Sequence, residues 1–158
     1  MTPNQKAFLD MLAYSEIGPA LLAVSDNGYN VIVGSTAEKP ILFDSYDDHP
    51  NLPQKFTIGQ TTTISSAAGR YQLLHRYWIE YKMQLNLPDF SPASQDAVAL
   101  QQLKERHALT DIEAGMIANA VSRCSNIWAS LPGAGYGQHT NSLQAILAVY
   151  RDSGGTLA

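Results

Sequence analysis

A glutamate stands where an apolar residue is expected. In FLDMLAYSEIGP (Phe8–Pro19), the residues Phe8, Leu9, Met11, Leu12 and Ala13 recur at helical spacing. Glu16 follows Leu9 by seven residues and Leu12 by four, so it continues the same stripe. A carboxylate on a core-facing line is costly unless it is paired or used. Two readings follow. In the first, Glu16 caps something or reaches solvent at a helix end. In the second, its apolar neighbours desolvate it, and the negative end of the helix dipole lies beside it. Both effects favour the protonated form. A glutamic acid that keeps its proton near neutral pH suits general-acid chemistry, including donation to the leaving oxygen of a glycosidic bond.

Other chemistries find less support. There is no Walker loop and no nucleophile-elbow serine. Gly133, Gly135 and Gly137 follow a helix and a proline, not a strand, and their spacing is not the dinucleotide fingerprint. No cofactor is expected. His49, His75, His107 and His139 are scattered without metal-ligand spacing, and a surface role is the default for each. DSYDDHP collects Asp44, Asp47 and Asp48 but lacks the glycine and spacing of a calcium loop, so no metal site is expected. Cys124 is the only cysteine, which excludes an intrachain disulfide and reads as a buried structural thiol.

The element that must position Glu16 is a first helix, started by Thr2 and Pro3 and stopped by Gly18 and Pro19. Three segments rich in Val, Ile, Thr and aromatics come next: 27–35, 40–46 and 55–65. Gly, Pro and Asp separate them, which predicts a small antiparallel sheet with long loops. From about Ala68 the spacing turns helical through Tyr71, Leu74, Tyr77, Trp78, Tyr81 and Leu85. Ser91 and Pro92 open another helix. Thr110 with Glu113 has the form of a capping box before the stripe Ala114, Ile117, Ala118 and Val121. A short helix from Ser125 closes at Pro132 ahead of a glycine-rich loop. Leu143, Ile146, Leu147 and Tyr150 mark a last helix, ended by Gly154 and Gly155. The expected class is α+β, mostly helical. The aromatics, Trp78 and Trp128 above all, read first as core.

Length and composition agree with one domain: 158 residues, 45% hydrophobic and 15% charged. A net charge of −4 argues against nucleic-acid binding, which usually needs a basic face. The opening MTPNQKAFLDM shows no basic stretch leading into an apolar one, and no apolar run reaches the ~20 residues of a membrane span. A cytoplasmic product without membrane insertion is the expectation.

Five blocks carry a resemblance: QKAFLDMLAYSE, GYNVIVG, AGRYQLL, DFSPASQDAVALQQLKER and SRCSNIWASLPGAGYGQ. Together and in order they resemble the lambda-type phage lysozymes (endolysins), least so over 35–66 and after His139. The resemblance implies a single lysozyme-like catalytic domain, 1–158, of two lobes around a glycan cleft. A sheet-containing lobe would span about 26–66, with the helical lobe built from the remainder. It also implies cleavage of the MurNAc–GlcNAc bond of peptidoglycan by lytic transglycosylation, with 1,6-anhydro-muramoyl ends and Glu16 as the catalytic acid, then base. Tyr29, Asn30, Arg70, Tyr71, Gln72, Tyr136 and Gln138 would bind substrate, and segments 27–35 and 47–69 would form lips over the cleft. The partners implied are glycan strands and, functionally, a holin that opens the membrane so that a host-cytoplasmic monomer reaches the cell wall. One departure stands out: relatives read Gly-Tyr-Asp where this chain has Gly28-Tyr29-Asn30. Asn30 cannot serve as a base, and Asp26 nearby reads as a solvated loop residue.

Two rivals remain open on sequence. One is a hydrolytic muramidase on the same fold. The other is a peptidoglycan-binding module that keeps the cleft but does not cut.

Overall fold

The structure, a computed structural model, describes residues 1–133 and 141–158. Its elements in chain order are α1 (Pro3–Ile17), α2 (Pro19–Ala23), β1 (Gln54–Ile58), β2 (Thr61–Ser65), α3 (His75–Leu85), α4 (Pro92–Glu105), α5 (Leu109–Glu113), α6 (Ile117–Cys124) and α7 (Leu143–Asp152). The α+β class is as expected, and the chain forms two compact units. One comprises Met1–Glu16 with Ala99–Ala158, the other Ile17–Val98.

In the first unit, α1 starts with a reciprocal cap. The Gln5 N–H donates to Thr2 Oγ1 at 3.2 Å, and the Thr2 N–H donates to Gln5 Oε1 at 3.1 Å. The predicted stripe is inside: Phe8, Leu9, Met11, Leu12 and Ala13 are all buried, as is Ala7. Each large apolar side chain so placed contributes about 1.5–3 kcal/mol. Gly18, at φ 82°, takes a conformation open to glycine and ends the helix, and Pro19 starts α2. Thr110 and Glu113 do not form the expected box. They lie inside α5, whose N-cap is Ala108, without a side-chain cap bond. The segment after α6 is a run of turns, not the expected helix, although Trp128 is buried as predicted for the core, and Leu131 is buried as well. Ser142 caps α7 by accepting from the Ala145 N–H at 3.2 Å. Cys124 is buried, and desolvation pushes its thiol up to about 12, which agrees with a structural role.

In the second unit the sheet is smaller than expected. β1 and β2 form one antiparallel hairpin, in register from Gln54 opposite Ser65 to Ile58 opposite Thr61. Segments 27–35 and 40–46 make only isolated bridges, Val31 with Leu42 and Ile32 with Ala68. Their composition favours strands, but Asn27, Gly28 and Gly34 have positive φ and break the ladder before it can extend. The core here is Ile32, Phe43, Ala68, Leu73, Trp78, Phe90 and Val98. Phe90 is its hub, with the Trp78 ring edge-on at 4.9 Å and the His49 ring at 4.7 Å.

His49 corrects the surface expectation. It is 5% exposed, its Nε2–H donates to the Leu73 carbonyl at 2.8 Å, and its Nδ1 accepts the Asn51 N–H at 3.1 Å. That pairing fixes a neutral tautomer, and burial lowers its pKa. Asp48 is engaged by Trp78 Nε1–H at 2.6 Å and by Lys82 at 3.1 Å. Among the described residues no cluster of three or more potential metal ligands exists, and no helix is long and apolar enough to cross a membrane.

Candidate active site

Glu16 sits in the last turn of α1, where the apolar stripe delivers it. The residue keeps some accessible surface, but its carboxyl is desolvated, and this burial raises its pKa above the ordinary glutamate value. Two opposing influences, smaller than burial, both come from Ser130, whose hydroxyl and backbone N–H stabilise the anion. The Ser130 hydroxyl donates to Glu16 Oε1 at 2.5 Å. Ser130 is held in turn: its carbonyl accepts from Ser15 Oγ at 3.1 Å and from the Asn141 N–H at 3.2 Å. Asn141 Nδ2 also donates to Ser15 Oγ at 3.1 Å. No ion pair to Glu16 occurs among the described residues. The balance therefore shifts Glu16 towards its protonated form, while Ser130 supplies donors to its anion. A group of this kind can give a proton and take one back.

A second constellation lies within the other unit. Residues 69–72 do not continue α3 backwards as the helical spacing suggested. They form a tight loop closed by reciprocal backbone bonds between Ala68 and Leu73, at 3.0 and 2.9 Å. Gly69 (φ 82°) and Gln72 (φ 50°) supply the turn conformations. A Cβ on Gly69 would collide with the Gln95 amide, so the close approach this glycine allows is that of Gln95. Gln95 is buried and ties three strands of backbone together. Its Oε1 accepts the Arg70 N–H at 2.9 Å, and its Nε2 donates to the carbonyls of Tyr29 at 3.0 Å and Phe90 at 2.9 Å.

The predicted binding residues divide between surface and interior. Arg70 and Tyr71 are 3% and 5% exposed. The Arg70 guanidinium donates to the Asn27 carbonyl at 2.7 Å and lies 5.0 Å from the Tyr29 ring centre. The hydroxyls of Tyr29 and Tyr71 both donate to Asp96 Oδ1, at 2.9 and 2.7 Å. Burial and the Asp96 charge push Tyr29 up to about 12, and the same causes raise Tyr71. Tyr29, Asn30 and Gln72 keep part of their surface accessible. Asn30 Oδ1 accepts the Asp26 N–H at 2.9 Å, and Gln72 Nε2 donates to the Gly69 carbonyl at 2.9 Å. Asp26 is exposed, as expected of a loop residue, and accepts the Tyr46 hydroxyl at 2.6 Å. Tyr136 and Gln138 lie outside the described residues, as do Gly135, Gly137 and His139.

Ser130, Asp96 and Gln95 were missed by the sequence reading. Ser130 had no signal: it is a serine in a turn, 114 residues from its partner. Gln95 and Asp96 stand inside DFSPASQDAVALQQLKER, and two polar residues near the start of an otherwise core-forming helix were the available hint.

Comparison with known proteins agrees with this architecture. The sequence model of the family described as Endolysin matches residues 6–157. The chain is 52% identical to the endolysin of Escherichia phage P2, over 98% of this chain and 95% of that protein. It is 51% identical to the endolysin of Escherichia phage lambda, over 98% and 93%. Among solved structures, bacteriophage lambda lysozyme complexed with a chitohexasaccharide superimposes with a TM-score of 0.88 at 50% identity, covering 100% of this chain and 98% of that one. A second structure of lysozyme from bacteriophage lambda gives 0.87 at 48% identity with the same coverage. Fold and sequence therefore define a phage lysozyme-type chain. It belongs to the endolysin family.

Proposed function

We propose that this protein degrades peptidoglycan by lytic transglycosylation, with Glu16 as its acid and then its base. The observation that carries the reading is the state of Glu16: a desolvated carboxyl, raised in pKa, with the Ser130 hydroxyl on one oxygen. In the first step Glu16 gives its proton to the glycosidic oxygen between MurNAc and GlcNAc while the bond from that oxygen to the MurNAc C1 breaks. The sugar N-acetyl group stabilises the cationic C1. In the second step the MurNAc C6 hydroxyl oxygen attacks C1 and its proton passes to Glu16. The product ends in a 1,6-anhydro ring, no water is consumed, and the acid is regenerated. One carboxyl suffices, whereas hydrolysis normally needs a second one as nucleophile or as base for water. Asn30 supplies none, because an amide is not a base and its Oδ1 already accepts the Asp26 N–H.

Tyr29, Asn30 and Gln72 are the proposed glycan contacts of the second unit, with Arg70 and Tyr71 holding Tyr29 in place through stacking and Asp96. Tyr136 and Gln138 complete the proposed set. The solved complex of lambda lysozyme with a chitohexasaccharide supports a β-1,4-linked N-acetylated glycan as ligand class. A monomer reaching the cell wall after a holin opens the membrane is the setting proposed for this activity. Glu16→Gln tests the reading. Binding to purified sacculi is retained and their lysis is abolished; lysis at the parent rate removes Glu16 from the chemistry.

A further inference from the structure

The clamp around Glu16 has a polarity that the acid–base reading leaves unexplained. A protonated carboxyl has one hydroxyl oxygen and one carbonyl oxygen, and only the carbonyl oxygen is a good acceptor. Ser130 donates to Oε1 at 2.5 Å. That bond makes Oε1 the carbonyl oxygen and leaves the proton on Oε2. Ser130 is fixed independently of Glu16, since its carbonyl takes hydrogen bonds from Ser15 Oγ and from the Asn141 N–H. Asn141 Nδ2 in turn fixes the Ser15 hydroxyl. The Ser130 backbone N–H is a second donor to the same carboxyl.

We propose that Ser130 is the positioning residue of this site: held by Ser15 and Asn141, it ties down Glu16 Oε1 so that the transferable proton is carried on Oε2. The inference rests on Glu16 being the acid and base proposed above. The same bond serves both halves of that cycle. It selects the donating oxygen in the first step and stabilises the carboxylate that must persist until the sugar C6 hydroxyl returns a proton. Without it the carboxyl can carry its proton on either oxygen, and the anion loses a donor.

The electrostatic surroundings make the effect readable. The other ionisable residues of α1 are Lys6 and Asp10, paired with each other at 2.7 Å, and Tyr14. The turn segment 125–133, which carries Ser130, has no ionisable side chain, and neither Asn141 nor Ser142 is ionisable. Among the described residues the influences on Glu16 are burial and Ser130, with no charged group among them. Removing the hydroxyl therefore acts on Glu16 directly.

The test uses the full chain and purified sacculi. Ser130→Ala is expected to lower kcat by about tenfold to a hundredfold, the loss that follows misorientation of a catalytic group, with KM for sacculi unchanged. The alkaline limb of the pH profile should move up by about one unit, because a bond favouring the anion is gone. A carbon-13 NMR titration of the Glu16 carboxyl should show the same upward move without reference to turnover. Ser130→Thr, which keeps a hydroxyl, should restore both readouts. If Ser130→Ala does not fold, Ser130→Cys, a weaker donor of similar shape, carries the same comparison with smaller changes. An unmoved Glu16 titration and an unmoved alkaline limb in the Ala or Cys variant overturn the assignment, even if kcat falls. Glu16→Gln, run beside them, separates the two ideas. Lysis by Glu16→Gln defeats the acid–base reading, whereas abolished lysis with an unmoved Ser130 variant defeats only the positioning role.

Discussion

Replacing Gly69 with alanine should cost far more than its backbone conformation alone. At φ 82° any side chain is strained, by roughly 1–2 kcal/mol. The added Cβ would also meet the Gln95 amide, with Cδ at 2.9 Å, and Phe90 Cζ at 3.1 Å. Gln95 is buried and cannot swing to solvent without surrendering its bonds to Arg70, Tyr29 and Phe90. At about 1 kcal/mol for each bond the total is about 4–5 kcal/mol. That is a large part of the ~5–15 kcal/mol that holds a domain together. At about 2–4 °C per kcal/mol for a chain of this size, Tm should fall by roughly 8–20 °C. Gly154→Ala is the matched control, with φ 89° and nothing within 4 Å of the added Cβ, and it should lose only the conformational part. Urea unfolding followed by circular dichroism gives both values, with the m-value unchanged so that the midpoints compare directly. Because Gln95 holds the Tyr29 carbonyl, Gly69→Ala should also raise KM for sacculi more than it lowers kcat. Equal losses in the two glycine variants would refute the reasoning about Gln95.

Glu16→Gln should be more stable than the parent at pH 8 and equal to it at pH 4. A raised pKa means that the folded state resists losing the Glu16 proton, so the stability this group provides is complete below its unfolded value and is lost as pH rises through the folded one. Each pH unit by which folding raises this acid is worth about 1.4 kcal/mol, and thermal melts of both proteins at the two pH values measure the gap. His49 has the opposite sign. Its folded pKa is lowered, so its contribution is present above about 6.5, the unfolded value, and is lost as pH falls towards the folded one. Urea midpoints between pH 7 and pH 5 should fall for the parent and fall less for His49→Gln. Cys124 should resist a thiol reagent such as DTNB in the folded protein and react fully in denaturant, because it is buried with its thiol raised to about 12. Rapid native labelling would contradict that burial.

Local signals were legible in the sequence where they agreed with one another. The stripe of α1, its proline start and its glycine–proline stop all point the same way, and Glu16 stands out because it breaks the pattern they set. The segments 27–35 and 40–46 had strand composition, but composition does not reveal that positive-φ residues leave only single bridges. In 68–74 the apolar spacing suited a helix, yet Gly69 and Gln72 turn the chain so that Ala68 and Leu73 pair across a loop. His49 read as a surface residue because a lone histidine carries no mark of the carbonyl and amide that will satisfy it. The Ser130 bond to Glu16 and the shared acceptor Asp96 are long-range contacts between ordinary polar residues. No periodicity encodes them, and the fold alone brings them together.

The central claim is that a single carboxyl both gives and takes back the proton. Digestion of purified sacculi in heavy-oxygen water, followed by mass spectrometry of the released muropeptides, tests it most directly. The account predicts 1,6-anhydro-muramoyl ends without incorporated label. Reducing MurNAc ends carrying the heavy oxygen would show that water is the nucleophile and would contradict it.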